Sequence, residues 1–395
     1  MGPLLWLTLA CSATKVGPAV STNAFPSSQV EVRHRPVAEP APGLPARLVA
    51  ELPEATWDAG LAQAASELVS LASPHHTWIN PGTASLVTAR AGFPGQARYA
   101  RALNGGAWPN ELLDLVVEVE GPVDVALVRR TFEDGLVLWI LAWAPHVAEI
   151  DPLPLWVPLD SPIGLRVDMA QTGDAHLFLA PPDGPVAEMS LTDGLARWVD
   201  LFHTPGPHRL EVVVDRGRTQ EVVALFTIFV DSPPPKPEPL GPPMVDHRAV
   251  AILELELLDS LNALRRSQGL TPVAPFPLFA PLARTHSRLM ATAGQVRHEL
   301  PGMSPGVPAM AEALAHPRAI HHESVAVSWT PAEAQALVVD SPAHLRSFLC
   351  ESCTHAAIGV ARETGAGAAA RLFVTWELLA FPQGIPRKID RLRSD

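Results

Sequence analysis

Concentrated positive charge is what this chain of 395 residues has least of: 29 Lys and Arg stand against 41 Asp and Glu, for a formal net charge of −12. No Lys/Arg run occurs outside the C-terminal end, where Arg387, Lys388, Arg391 and Arg393 cluster. A nucleic-acid interface needs a basic stripe to neutralise phosphates, so no nucleic-acid partner is expected. Long apolar runs are also missing. Past the first eleven residues no stretch of ~18 apolar residues occurs, and nothing is expected to span a membrane. There is no Gly-rich phosphate loop and no dinucleotide-binding glycine fingerprint. Ser287 follows His286 directly in a helical segment, which points the two side chains apart and argues against a Ser-His-Asp triad. What is present is apolar mass: 47% hydrophobic residues and 18% charged ones can fill several cores and exclude global disorder. A chain of this length is expected to divide into two or three domains.

Cysteine is scarce, and its placement carries information. Cys11 closes the run Leu4-Leu5-Trp6-Leu7-Thr8-Leu9-Ala10, and the chain is then rich in Ser, Thr, Pro and Ala as far as Arg47. Residues 1–11 read as a signal segment and 12–47 as a flexible tether. Ala10-Cys11 resembles the junction of a bacterial lipoprotein signal, at which the cysteine is lipidated; Leu7 lies one position too far from it, and no basic residue precedes the apolar run. A lipid on Cys11 would make the protein extracytoplasmic and tie a soluble body to a membrane. The alternative is a frayed terminus with an incidental cysteine.

Residues 48–150 read as an α+β domain, with helices over Trp57–Ala72 and Ser85–Leu103 and strands at Leu112–Glu120, Val123–Arg129 and Leu136–Trp143. Residues 151–231 are a series of short strand-like runs separated by Pro/Gly turns, the pattern of an immunoglobulin-like β-sandwich. No acid-base or metal-ligand set clusters there, so a spacer or adhesion module is expected. Residues 232–245 hold Pro233-Pro234-Pro235-Lys236-Pro237-Glu238-Pro239, a stiff linker. In 246–384 the periodicity predicts helices over Val250–Arg266, Ala280–Ala293, Met310–Ala315 and Pro331–Val339, then strands at Ala356–Glu363 and Arg371–Phe381; 385–395 are a basic tail. Helices first and hairpins last is also the order in 48–150, so a degenerate duplicate is one reading of that segment.

Five landmarks in 246–384 occur in one order: Asn262 to Arg265 with Gly269-Leu270, Leu282 to Met290 with His286-Ser287, Gly294 to His298, Ser341-Pro342-Ala343-His344, and Thr354 to Ala361 with Gly359-Val360. Together they resemble a bacterial CAP domain, the superfamily of cysteine-rich secretory proteins, antigen 5 and pathogenesis-related-1. The resemblance implies an α-β-α sandwich and a cleft lined by two histidines and one or two glutamates able to hold a divalent metal such as zinc. Carried over residue by residue, it places the metal histidines at His298 and His344 and the cleft glutamate at Glu323, with His355 a further candidate for the cleft wall. The pattern departs at His322 and Ser324, where the family has glycine and asparagine around the glutamate. It departs again at Ala343 and Leu345, and the second glutamate has no visible counterpart. His286 reads as a packing residue, and His321 and His322 as surface residues.

Cys350 and Cys353 form a C-x-x-C pair. In an oxidising compartment a local disulfide is the first reading. A zinc site with His355, or two free thiols, are the alternatives, and no βαβ unit is present to support a thioredoxin-like role. Three function classes follow. One is a secreted or surface-anchored protein that binds a lipid, small molecule or envelope component in its cleft. The second is a zinc-dependent hydrolase using His298, His344 and Glu323. The third is an envelope or adhesion scaffold. Binding is favoured over enzyme activity, because the cleft motifs are eroded.

Overall fold

The computed structural model describes residues 31–32, 44–52, 55–117, 121–146, 148–150, 153–169, 175–191, 195–198, 202–215, 220–242, 246–298, 300, 320–363 and 370–381. Cys11, the signal segment, the basic tail and the predicted helix Met310–Ala315 lie outside them. A short strand β1 (Glu31–Val32) and helix α1 (Leu44–Glu51) precede β2 (Ala55–Trp57), α2 (Ala59–Leu71), α3 (Pro81–Arg90), β3 (Arg98–Asn104), α4 (Asn110–Val117), β4 (Val123–Thr131) and β5 (Val137–Pro145). Asp58 starts α2 by accepting the Leu61 N–H at 2.8 Å. Asn80 caps α3, whose first position is Pro81. The sheet order is β2-β4-β5-β3, with β2 parallel to β4 and the other pairs antiparallel. Leu61, Ala65 and Leu68 of α2 pack on Ala126, Ile140 and Ala142. On the opposite face Leu48, Leu112, Leu113 and Val116 meet Leu127, Trp139 and Leu141.

Three sequence expectations are corrected here. The tether to Arg47 already contains β1 and the start of α1. The helix expected over Ser85–Leu103 is α3 followed by β3, because the chain beyond the Gly92-Pro94 break pairs with β5 and does not resume the helix. The strand expected at Leu112–Glu120 is α4: Leu112, Leu113 and Val116 share one helical face, and burying that face outweighs the strand preference of the valines.

Eight further strands follow: β6 (Ala148–Ile150), β7 (Pro154–Val157), β8 (Ile163–Met169), β9 (Ala175–Ala180), β10 (Ala187–Leu191), β11 (Leu195–Trp198), β12 (Gly206–Asp215) and β13 (Gln220–Val230). They form two sheets, β1-β7-β13-β12-β9-β10 and β11-β8-β6. Leu165 and Val167 of the smaller sheet share a core with Leu177, Leu210, Val212, Phe226 and Ile228 of the larger. β6 pairs with β8, so this unit starts before residue 151. The proline segment is extended, as expected, but its end is docked. Leu240 is buried in the core under α2, and its N–H donates to the Leu71 carbonyl at 3.0 Å.

The C-terminal elements are α5 (Val250–Ser267), β14 (Ala274–Pro275), α6 (Ala280–Ala293), β15 (Ile320–Ser328), α7 (Pro331–Asp340), α8 (Pro342–Phe348), β16 (His355–Arg362) and β17 (Leu372–Ala380). β15 and α8 are additions to the predicted elements. The sheet order is β14-β16-β17-β15, again with one parallel pair, β14 with β16. Strand order and pairing senses therefore repeat those of β2-β4-β5-β3. Leu253, Leu257 and Leu261 of α5 and Val338 of α7 cover one face through Ile358, Val360, Val374 and Trp376. α6 covers the other so closely that a Cβ on Gly359 would lie 2.1 Å from the Ala283 carbonyl carbon. Helices on both faces of an antiparallel sheet give the α-β-α layering that the CAP resemblance implies. No described helix is long and apolar enough to cross a membrane.

Candidate functional site

The site begins with the register of β15 and β17, which sets Glu323 directly opposite Glu377. Strand alternation turns His321, Glu323 and Glu377 toward α6, and His322 toward the other face. Two carboxylates facing each other in a covered layer repel, and each needs a cationic or protonated partner. Histidines supply them. His286, fully buried on α6, places Nδ1 2.8 Å from Glu323 Oε2 while its Nε2 donates to the Arg297 carbonyl at 2.9 Å. His298 Nδ1 lies 2.8 Å from Glu323 Oε1, and His321 Nε2 lies 2.5 Å from Glu377 Oε2.

Burial would raise Glu323, but the hydrogen bonds and charges of His286 and His298 push it down to about 2. Burial would lower His286, yet Glu323 and the Arg297 carbonyl hold it above its ordinary range. Glu377 goes the other way: burial raises it, with the Glu323 charge adding to the effect and His321 opposing it. His321 itself is raised, because Glu377 outweighs its burial. The layer thus holds an ionised Glu323 between two rings and a Glu377–His321 pair that shares a proton.

A second group adjoins it. Ser341 caps α8, and its Oγ lies 2.7 Å from His344 Nδ1. The same hydroxyl donates to Glu211 at 2.8 and 2.9 Å, and the Ala343 N–H donates to Glu211 at 2.7 Å. Glu211 comes from β12 of the sandwich and is fully buried; burial pushes it up to about 7 against those donors. His344 is pushed down to about 4 by burial and the neighbouring His298. The two rings lie almost parallel, 11° apart, with centroids at 6.2 Å.

His298 bonds Glu323, and its ring lies beside that of His344. His355 does not join them. It shares the α6-facing side with His321, but Leu379 stands between them in the register, and its ring packs on Phe276 and Phe381. His286 and His321, read from the sequence as packing and surface residues, are the partners of the two glutamates. Glu377 supplies the second carboxylate, and Glu211 reaches His344 through Ser341. Sequence reasoning missed both, since each depends on a pairing across strands or domains.

A divalent metal such as zinc needs donor atoms whose lone pairs are turned to one point. His298 directs Nδ1 at Glu323, and Ser341, whose hydroxyl donates to Glu211, accepts from His344 Nδ1–H. Each ring has Nδ1 anchored and Nε2 without a bond among the described residues, and a ring deprotonated at Nε2 has the usual arrangement of a metal-ligating histidine. The two ring centroids stand 6.2 Å apart, wider than two nitrogens on one ion, so a metal would need the rings to close. Among the described residues no third donor stands within ligand range of that pair. Ligand atoms of His286, Glu323 and Glu377 do lie within 4.8 Å of one another, but His286 is occupied at both nitrogens and offers no lone pair while it stays protonated.

On the opposite face Cys350 and Cys353 are joined as a disulfide. The histidine beside them is His322, not His355 as one alternative supposed.

No protein-family model and no curated protein matches this chain. Among solved structures, an outer surface protein from Borrelia burgdorferi is similar over 34% of this chain and 98% of its own, at 15% identity and a TM-score of 0.28. An extracellular protein containing a SCP domain from Bacillus anthracis strain Ames is similar over 44% of this chain and 57% of its own, at 17% identity and a TM-score of 0.29. A cysteine-rich secretory protein from Staphylococcus aureus Mu50 is similar over 48% of this chain and 64% of its own, at 11% identity and a TM-score of 0.28. Likenesses of this size assign no family to the chain.

Proposed function

We propose that this chain is an extracytoplasmic CAP-like binding protein, held at a membrane through a lipid on Cys11, that takes a small molecule, lipid or cell-envelope component at the corner of His298, His344 and Glu323. One observation carries the reading: each oxygen of Glu323 is engaged by a histidine, Oε2 by His286 and Oε1 by His298. A carboxylate held so is a rigid acceptor and orienting group, not a base free to activate water. The Nε2 edges of His298 and His344, which carry no bond among the described residues, are left as the binding groups. The Cys350–Cys353 disulfide suits an oxidising compartment. The membrane is a partner through the anchor alone, and the two upstream units act as a stalk.

A zinc-dependent hydrolase is the second reading, favoured by the anchored tautomers of His298 and His344. Zinc there would polarise a bound water, with Glu323 orienting the His298 ring. Zinc titration of the full chain beside a His298→Ala/His344→Ala variant separates the two. The binding reading expects thermal stabilisation by lipid extracts or soluble cell-wall fragments that the double variant loses, and no zinc-dependent hydrolysis of peptide or ester substrates. Stoichiometric zinc accompanied by hydrolysis, both lost in the variant, would reverse the order.

A further inference from the structure

The side of the sheet away from the cleft carries a cluster that the proposed function does not use. His322 faces it from β15, and Cys350 and Cys353 approach from the turn after α8. One ring nitrogen and the two Sγ atoms lie within 4.8 Å of one another. Among the described residues the His322 side chain has no hydrogen-bond partner, so its nitrogens are uncommitted. The turn is held by more than its disulfide. Arg265 of α5, fully buried, donates to the carbonyls of Thr271 at 3.0 Å, Phe348 at 2.7 Å, Cys350 at 3.0 Å and Cys353 at 3.4 Å. Four backbone anchors on one guanidinium keep the two sulfurs side by side whether or not they are bonded. Cys353 is buried, while Glu351 and Ser352 are exposed, so the cluster opens to solvent on one side.

We infer that His322, Cys350 and Cys353 form a redox-gated site for a borderline divalent cation of the zinc class. A dithiol or phosphine reductant opens the disulfide by two electrons and leaves two thiols. The thiols release two protons as the cation binds both sulfurs and the His322 nitrogen, and water takes the fourth position. A peroxide takes two electrons from the two thiolates and, with two protons from water, leaves as water and its alcohol or as two waters, so that the disulfide re-forms and the ion is expelled. Two thiolates and an imidazole are a donor set that zinc accepts, and the three donors already lie within 4.8 Å of one another, so once the disulfide is opened the two sulfurs need only move apart to take ligand bonds of ~2.3 Å beside one of ~2.0 Å to nitrogen. The inference is independent of the cleft reading, because His322 and Glu323 point to opposite faces.

Cobalt(II) is the probe, titrated into the full chain with and without reduction by a phosphine. The reduced chain should bind one equivalent, with a near-ultraviolet thiolate-to-cobalt charge-transfer band that zinc displaces; the oxidised chain should show no such band. His322→Ala should weaken reduced-state affinity by ~10-fold or more, and Cys350→Ser should abolish the band. His298→Ala/His344→Ala should keep it. A reduced wild-type chain without the band, a His322→Ala chain of undiminished affinity, or a band lost in the cleft variant each overturns the site. If reduction alone unfolds the unit, one equivalent of zinc should restore its circular dichroism. Failure to do so counts equally against it.

Discussion

Replacing Glu323 by glutamine removes the charge on which two histidines converge while keeping the shape of the side chain. Glu323 sits at about 2 where an ordinary glutamate sits at 4.5. Each pH unit of that difference is worth ~1.4 kcal/mol, so the ionised form contributes at most ~3.5 kcal/mol. The His298 side chain is 54% exposed, so solvent screens its share and ~2 kcal/mol is the better figure. A depressed carboxyl stabilises above its unfolded value and loses that contribution as pH falls from 4.5 toward 2. His286 is raised, so its contribution is complete below its unfolded value of 6.5 and is lost as pH climbs through the folded one. The wild-type unit should be most stable between those limits. Hydrogen exchange of peptides from 320–328 and 372–380, corrected for intrinsic rates, reads this unit separately from the others. Glu323→Gln should speed exchange there by ~30-fold near pH 6 and flatten both flanks of the profile. A variant within a factor of two of wild type, or one that keeps both flanks, would show that the two histidines do not depend on this carboxylate.

Glu211, raised to about 7, prefers its protonated form in the folded chain, so docking of the sandwich on α8 should weaken as pH rises from 4.5 through 7. Glu211→Gln should abolish that trend in the exchange of peptides from 206–215 and 342–348, while Ser341→Ala should leave the trend and weaken docking throughout. Gly359→Ala forces a methyl onto the Ala283 backbone and should cost ~1–3 kcal/mol in the same exchange assay. Arg265→Met should cost ~3 kcal/mol or more, since four carbonyls lose their donor, and a phosphine should reduce the Cys350–Cys353 bond measurably faster. Cys11→Ser should move the protein from the membrane to the soluble fraction; unchanged fractionation removes the lipid anchor.

How far the site is legible in the sequence depends on how local each determinant is. α5, α6 and α7 are legible because their ends are marked within a turn or two: Gly269 and Gly294 stand past two of them with φ of 72° and 68°, and Pro331 follows the capping Thr330 at the start of the third. β15 is not. Its sequence, Ile320-His321-His322-Glu323-Ser324-Val325, lacks an apolar alternation, since one face holds ionisable groups that are covered only because α6 lies over them. β3 and α4 mislead for the converse reason, that pairing with β5 and burial against the sheet decide conformations on which the local sequence is divided. His298, Glu323 and His344 emerge through a motif. Glu377 is hidden within a run that reads as an ordinary core strand, and Glu211 lies 130 residues before the serine it binds.

Comparison within the chain shows which of these residues the fold itself requires. The β2-β4-β5-β3 sheet has the same order and pairing senses as β14-β16-β17-β15, and each carries a helix, α2 or α6, on one face. Under α2 the central strand β5 presents Leu138, Ile140, Ala142 and Ala144. Under α6 the corresponding strand β17 alternates through Phe373, Thr375, Glu377 and Leu379, and Glu377 is 1% exposed. Apolar side chains of β5 fill the first layer, with no carboxyl among them. Burying a carboxyl in the second costs several kcal/mol unless it is fully bonded, and meeting that condition enlists His286, His298, Glu323 and His321. An arrangement that one sheet of this chain does without is not a condition for forming such a sheet. Under the proposed binding role, the polar layer between α6 and β17 anchors His298, and His298 and His344 are the edge offered to a ligand.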